Sequence, residues 1–357
     1  MPTDKKNQHY LPKFYLRNFS YKNNKKEIGI YNYRKKFYFQ KAPLKTQGSK
    51  TFFYGEDGKM EDALSEIESI LAKEIHEIVK TRNLPIHDTD VHKLLLQFVA
   101  LTHLRNPIAI EGVKNSRKAV KEMILEMDPN AKVDDFIEPT HEEAITLSLS
   151  TVSQIVDNIS DLDYKFLENK TDTKFISSDL PVVRYNQFLE YKKWDHGKTG
   201  YGNMGLQIFI PLSPELTIMF YDSKTYKVGE KRHKTLELNN KKDIDKLNQL
   251  QYLNSLETLF FDEHTTKYYI ENLINNSSIY KKANQTSAEL SFIVSPETTE
   301  EEKKEKKENL IIVGNTECTT NLEIDGIKML SGVRLKKLSN SMAQLREKPL
   351  ELMRNNR

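Results

Sequence analysis

Gln8-His9-Tyr10-Leu11-Pro12-Lys13-Phe14-Tyr15-Leu16-Arg17-Asn18-Phe19 is the stretch around which this chain is organised. Chain termini are normally polar and frayed, yet this one crowds tyrosine, leucine and phenylalanine around a single imidazole. Left in water, that apolar surface is unfavourable by several kcal/mol, at ~25 cal/mol per Å². The segment is therefore expected to dock on the body of the protein and to carry His9 there.

Outward from this stretch, composition sets the class. At 357 residues the chain can form one large domain or two modest ones. Its 38% hydrophobic and 29% charged content is that of a soluble globular protein. The absence of an apolar run of ~18 residues argues against a membrane span, and no signal-peptide core opens the chain. A single cysteine, Cys318, rules out an internal disulfide and a cysteine-based zinc site, and suits a reducing cytoplasm. Charge is uneven: residues 1–60 hold 14 Lys or Arg against 4 Asp or Glu, and residues 325–357 hold 8 against 3. Basic ends attract a polyanion or neutralise an acidic middle.

In chain order, Glu27–Tyr33 and Phe37–Lys41 read as a hairpin across Arg34-Lys35-Lys36, with Thr51–Tyr54 a third strand. Its aromatics alternate with Lys and Arg, a pattern that stacks bases or simply packs rings inward and lysines outward. A helical block over about 59–160 follows. Met60, Leu64, Ile67, Leu71, Ile75 and Ile78 mark one helix face. Asp88 or Asp90 is expected to cap a second helix ending at Asn106-Pro107, Pro107 to open a third, and Thr140 with Glu143 to box a fourth running to Ile159. Strands are expected at Tyr164–Leu167, Lys174–Ile176, Val182–Tyr185, Leu206–Ile210 and Leu216–Tyr221, with Gly197–Gly205 a flexible loop. Helices resume near Asp243 and after Glu263, and Leu310–Val313 and Leu322–Ile327 are further strand candidates. The order β, α-block, β, α predicts an α+β fold, a mixed or antiparallel sheet with the helical block inserted between β segments. The main domain is expected over 1–295, followed over 296–357 by a charged linker and C-terminal tail.

Two motifs fail on their own physics. Gly197-Lys198-Thr199 lacks the first glycine of a phosphate-binding loop, since Lys192 stands at that position. Arg82 and His87 have the Arg-x4-His spacing of HEPN ribonucleases, but Pro85 between them breaks the helix that spacing requires; an inter-helix turn is the reading. What remains is a scattered set of polar residues of catalytic type. Glu61 and Glu68 are two helical turns apart on one face, Arg105 precedes Pro107, Ser178 and Asp179 end a strand before Pro181, and Asn248 lies within a helix.

His9-Tyr10-x-Pro12-x-Phe14-Tyr15-Leu16-Arg17-Asn18-Phe19, together with Phe175-Ile176-x-Ser178-Asp179-x-Pro181-Val182, resembles the bacterial domain-of-unknown-function family 4238. Phe53-Tyr54, Glu61, Glu68, Arg105, Pro211-Leu212-Ser213-Pro214 and Asn248 fit the same pattern, over roughly residues 8 to 260. The chain departs from it at Asn106, where the family has Thr, and at Leu180, where it has Asn. The resemblance implies membership and no assigned activity.

From the residues themselves, one expectation is a hydrolase acting on a phosphodiester or nucleotide-like substrate. His9 would be its general acid or base, with Arg105 on the phosphate and Ser178 as a donor. Tyr10, Arg17 and Asn248 would bind substrate. Glu61, Glu68 and Asp179 would hold Mg²⁺ or Mn²⁺. The alternative is a non-catalytic module binding nucleic acid or protein, a defence or toxin-like effector, using the aromatic hairpin and basic ends such as Lys35-Lys36 and Lys336-Lys337. Each residue also has a structural reading: Arg105 tying two helices through Glu61 or Glu68, and Asp179 capping a turn.

Overall fold

The computed structural model describes residues 6–133, 137–194, 197–283, 286–291, 310–315, 317–335 and 344–355, with 286–291 and 310–315 described as strands only. The N-terminal part runs β1 (Asn7–His9), α1 (Lys13–Leu16), the hairpin β2 (Glu27–Asn32) and β3 (Phe37–Pro43), then β4 (Ser49–Thr51). The helical block is α2 (Lys59–Thr81), α3 (Asp90–Leu104), α4 (Pro107–Met127), α5 (His141–Ser150) and α6 (Val152–Ile159). Next come β5 (Asp163–Asn169), β6 (Ser177–Ser178), β7 (Val183–Tyr185), α7 (Gln187–Tyr191), β8 (Gln207–Ser213), β9 (Leu216–Tyr221), β10 (Tyr226–Val228) and β11 (Thr235–Leu238). The chain closes with α8 (Lys241–Asn254), β12 (Thr258–Phe261), α9 (Lys267–Asn276), β13 (Thr286–Ser291), β14 (Leu310–Asn315), β15 (Ile327–Met329) and a last helix, Glu347–Asn355. The fold is α+β.

A five-stranded sheet of order β11-β5-β9-β8-β7 forms the centre, antiparallel except where β11 runs parallel to β5. Every residue of β8 and β9 is buried. That follows from layering on both faces. Ile208, Ile210, Ile218 and Phe220 enter a core shared with the N-terminal segment and α2–α6. Their neighbours Phe209, Met219 and Tyr221 enter a second core with α8, Cys318, Leu322, Ile324 and Ile327. A four-stranded antiparallel sheet, order β3-β2-β12-β6, packs α9 through Tyr31, Leu259, Phe261, Ile270 and Leu273. Gly29 is required in β2, since a Cβ there would lie 2.4 Å from the Phe261 ring. No helix of the described residues is long and apolar enough to cross a membrane.

Several boundaries differ from expectation for identifiable reasons. Lys174–Ile176 is not a strand: the Asn248 side chain takes the Ile176 N–H and donates to the Lys174 carbonyl, occupying the groups a ladder would use. Pairing begins only at Ser177. The strand near Thr51 ends at Phe52, whose φ of 49° is left-handed, and it pairs with β1 rather than with the hairpin. The fourth helix breaks at Thr151, where Ser150 and Thr151 hydroxyls bond the Leu147 and Ser148 carbonyls. Thr89, not Asp88 or Asp90, caps α3 by accepting from the His92 N–H. Ile67 faces solvent at 40% exposure while Leu64, Leu71, Ile75 and Ile78 are buried. Leu322–Ile324 is irregular, and the strand there starts at Ile327. Lys336, Lys337 and residues 295–308 lie outside the described residues.

Candidate functional site

The N-terminal stretch docks as its composition requires. Tyr15, Leu16 and Phe19 are fully buried. The Tyr15 hydroxyl donates to the Pro211 carbonyl at 2.6 Å and meets Ser177 Oγ at 2.7 Å. Gln8 Nε2 donates to the Gly55 carbonyl at 2.8 Å, and the Tyr10 and Phe53 rings lie 5.6 Å apart. The motif segments around residues 8–19, 53–55, 105, 177–179 and 211 therefore meet in one packed polar core.

Within that core most of the sequence-derived candidates have internal partners, and among the described residues Arg105 Nη2 is buried without a hydrogen-bond partner. Arg105 is 2% exposed; its Nε donates to the Tyr10 carbonyl at 3.0 Å and its Nη1 to Glu68 Oε1 at 2.6 Å. Glu61 lies on the first turn of α2, and its charge, like that of Glu68, reaches Tyr54. His9 Nε2 bonds the Lys45 carbonyl at 3.0 Å. Burial, with Lys13 nearby, pushes the imidazole down to about 4. Asp179 is buried and accepts the N–H groups of Leu256, Glu257 and Thr258 at 2.7, 2.8 and 2.8 Å. Its burial raises the carboxyl to about 6 against those three donors. Ser178 Oγ donates to Gln251 at 2.9 Å and accepts from Leu180 N. Asn248 bonds Ile176, Lys174 and the Tyr269 hydroxyl. Arg17 is exposed.

The structure thus brings His9, Tyr10, Glu68 and Arg105 together, and burial first, then the Asp179 charge, push the Tyr10 phenol upward. It does not gather Glu61, Glu68 and Asp179 as a ligand set. Among the described residues, the group of three acid or imidazole side chains whose ligand atoms all lie within 4.8 Å of one another is Asp262, Glu263 and His264. Asp179 has both oxygens already occupied by backbone donors, and Glu68 is held by Arg105. Arg82 caps the end of α2 and donates to the Val79 carbonyl, while His87 stacks 4.6 Å from Tyr164. That is the inter-helix turn expected from Pro85.

A cavity of about 420 Å³ lies elsewhere, where α3 and α4 face β7 and the glycine-rich loop. That volume suits a small ligand. None of the motif's polar candidates lines it; His103, Arg184, Thr199 and Glu317 do. The two positions that depart from the family pattern, Asn106 and Leu180, also line it. The Arg184 guanidinium carbon sits 4.7 Å over the Tyr201 ring, and Nη1 donates to the Thr199 carbonyl at 3.0 Å. His103 meets the same ring edge-on at 5.6 Å. Burial, and then the Arg184 charge, hold His103 well below the usual histidine range. Both effects weaken the ring as a base; the negative charge of a phosphate held on Arg184 would work the other way and favour the protonated ring.

The loop at 197–205 is irregular but fastened. Glu317 accepts the Lys198 and Thr199 N–H groups at 2.8 and 2.6 Å, which offsets its charge beside the cavity. Arg346 grips the loop from the other side, donating to the Asn203 and Tyr201 carbonyls at 2.8 and 3.0 Å while bonding both Asp161 oxygens. His103 and Arg184 escape a sequence reading because neither stands in a motif or at a fixed spacing from another residue of catalytic type. His103 stands two residues before Arg105, so the two point to different sides of α3.

The buried histidines make stability acid-sensitive. His9 and His92 are both lowered to about 4, chiefly by burial, from an ordinary 6.5. The unfolded chain therefore takes up protons between pH 6.5 and 4 that the folded chain does not, and stability falls as pH drops through that window. Asp179, raised to about 6, works the opposite way and offsets part of the loss. Unfolding by urea at pH 7 and pH 5 is expected to show a loss of about 1 kcal/mol from His9 alone, discounted for partial solvation. His9→Gln is expected to flatten the profile; an unchanged slope would contradict it.

The fold and cavity define an α+β protein with a polar-lined, ligand-sized cavity beside its central sheet. The chain belongs to the DUF4238 family, described as a protein of unknown function, whose profile matches residues 7–265. No curated protein and no solved structure matches it.

Proposed function

We propose that this protein binds a phosphate-bearing molecule of nucleotide size in the 420 Å³ cavity and hydrolyses it. The observation that carries the reading is the His103 imidazole and the Arg184 guanidinium, two cavity-lining groups, meeting on the Tyr201 ring. Arg184 suits a phosphate, whose oxygens its planar donors match. His103 takes a proton from water as the water oxygen attacks phosphorus. The bond from phosphorus to the leaving oxygen breaks, and that oxygen is protonated from solvent. The hydrolase expectation is thereby carried by His103 and Arg184, while His9, Arg105, Ser178 and Asp179 serve the packed core behind the cavity. A divalent ion is an arm of the test. The lone, buried Cys318 thiol fits a reducing cytoplasm as the setting.

The test is thermal stabilisation and phosphate release with a panel of nucleoside mono-, di- and cyclic phosphates, with and without Mg²⁺ or Mn²⁺. A panel member is expected to raise Tm. Arg184→Gln is expected to weaken its binding at least tenfold. His103→Gln is expected to keep binding and lose turnover. Binding and turnover that survive both substitutions, or no response to any panel member, would overturn the reading.

A further inference from the structure

β3 is an edge strand: it pairs with β2 on one side, and among the described residues no strand pairs its other side. Its residues alternate in a way the inward-packing reading of the hairpin does not anticipate. Tyr38 turns inward, stacking on Phe261 at 5.5 Å and donating to the Thr265 carbonyl at 3.0 Å. Phe37 and Phe39 turn outward, 51% and 47% exposed, with ring centroids 6.0 Å apart. Two phenylalanines side by side on a surface are unfavourable unless something covers them.

The surrounding charge says what that is. Residues 21–45 hold eight Lys or Arg and one acid, Glu27. Arg34, Lys35 and Lys36 at the hairpin tip and Lys41 beyond Phe39 are exposed, and none is in an ion pair with a described residue. A second copy of the chain docking edge to edge would bring two such basic surfaces together, which is repulsive. A polyanion carrying flat rings satisfies both features at once: stacking on the aromatics and phosphate contact with the cations.

We propose that the outward face of β3 binds single-stranded nucleic acid, with bases stacked on Phe37 and Phe39 and the backbone neutralised by Lys35, Lys36 and Lys41. None of these residues lines the cavity, so the surface stands independently of the hydrolase reading.

The experiment is fluorescence anisotropy of the full chain with a labelled 12-nucleotide single strand, as RNA and as DNA, and with the matching duplex, from 50 to 200 mM salt. The single strand is expected to bind more tightly than the duplex, with affinity falling as salt rises. Phe37→Ser with Phe39→Ser is expected to weaken binding at least tenfold with the salt slope unchanged. Lys35→Glu with Lys36→Glu is expected to weaken it and lower the slope of log K against log salt by about 1.4, the share of two phosphates. Both pairs are exposed, and circular dichroism checks that each folds. Arg184→Gln is expected to leave oligonucleotide binding intact, which separates this surface from the cavity. Absence of binding at 50 mM salt, equal affinity for duplex, or serine variants that bind like the parent would overturn the proposal. So would sedimentation showing that the serine pair dissolves a dimer while leaving nucleic-acid affinity unchanged.

Discussion

Replacing Arg105 by methionine is expected to lower the unfolding free energy by about 3 kcal/mol, read as a shift in the urea midpoint. Methionine keeps much of the stem and removes the guanidinium. The Tyr10 carbonyl then loses its donor inside the core, and Glu68 loses the cation that holds it. An unpaired buried acceptor costs about 1–3 kcal/mol. Glu68 suffers less, because its side chain is 26% exposed and water can reach it. Lysine at 105 is expected to recover only part of the loss, since it lacks the planar fork that serves two acceptors. The opposite outcome is informative. A variant that keeps full stability but loses turnover would return Arg105 to the phosphate-binding role its motif first suggested.

The second large effect is expected at Asp179. Its carboxylate gathers the N–H groups of Leu256, Glu257 and Thr258, the turn that launches β12. In Asp179→Ala three donors lose their acceptor, a loss on the order of 4 kcal/mol after subtracting what burial of the charge costs. That cost is visible in the carboxyl itself, which burial raises to about 6. Asp179→Asn keeps one acceptor oxygen and puts an NH₂ against the remaining N–H groups, so an intermediate loss of about 2 kcal/mol is expected. Both are measured by urea titration at pH 7. An asparagine variant that folds as stably as the parent yet loses a Mg²⁺-dependent activity would establish the metal role instead.

These two residues also show how the motifs are to be understood. Polar side chains that recur in separate segments looked like the parts of a catalytic centre, because catalysis and core satisfaction call on the same residue types. Arg105 to Tyr10, Tyr15 to Pro211 and Asp179 to the start of β12 are long-range bonds that join the N-terminal segment, the helical block and the two sheets. Such a network specifies one arrangement of the chain, since a partner missing from any arm leaves a buried group unpaired.

Local patterns carried much of the architecture. The spacing of Leu64, Leu71, Ile75 and Ile78 marks a helix because burial on one side of a 3.6-residue period leaves a trace in the sequence. Thr140 with Glu143 signals its capping box, and Asn106-Pro107 its helix start, because those signals act within a few residues. β12 was not legible. Its four residues, Thr-Leu-Phe-Phe, sit between two helices and are too few to show a period.

The amino-acid order by itself determined that the chain is α+β, that the segment from Gln8 to Phe19 is buried, and where the helical block begins and ends, since each follows from interactions between near neighbours or from apolar surface that water rejects. Only the tertiary structure decided that Arg105 meets the Tyr10 carbonyl and Glu68, that Asp179 is spent on backbone N–H groups, that His103 and Arg184 share a cavity wall, and that Phe37 and Phe39 turn outward. Those outcomes depend on which distant segment arrives opposite each side chain, and no local spacing encodes that.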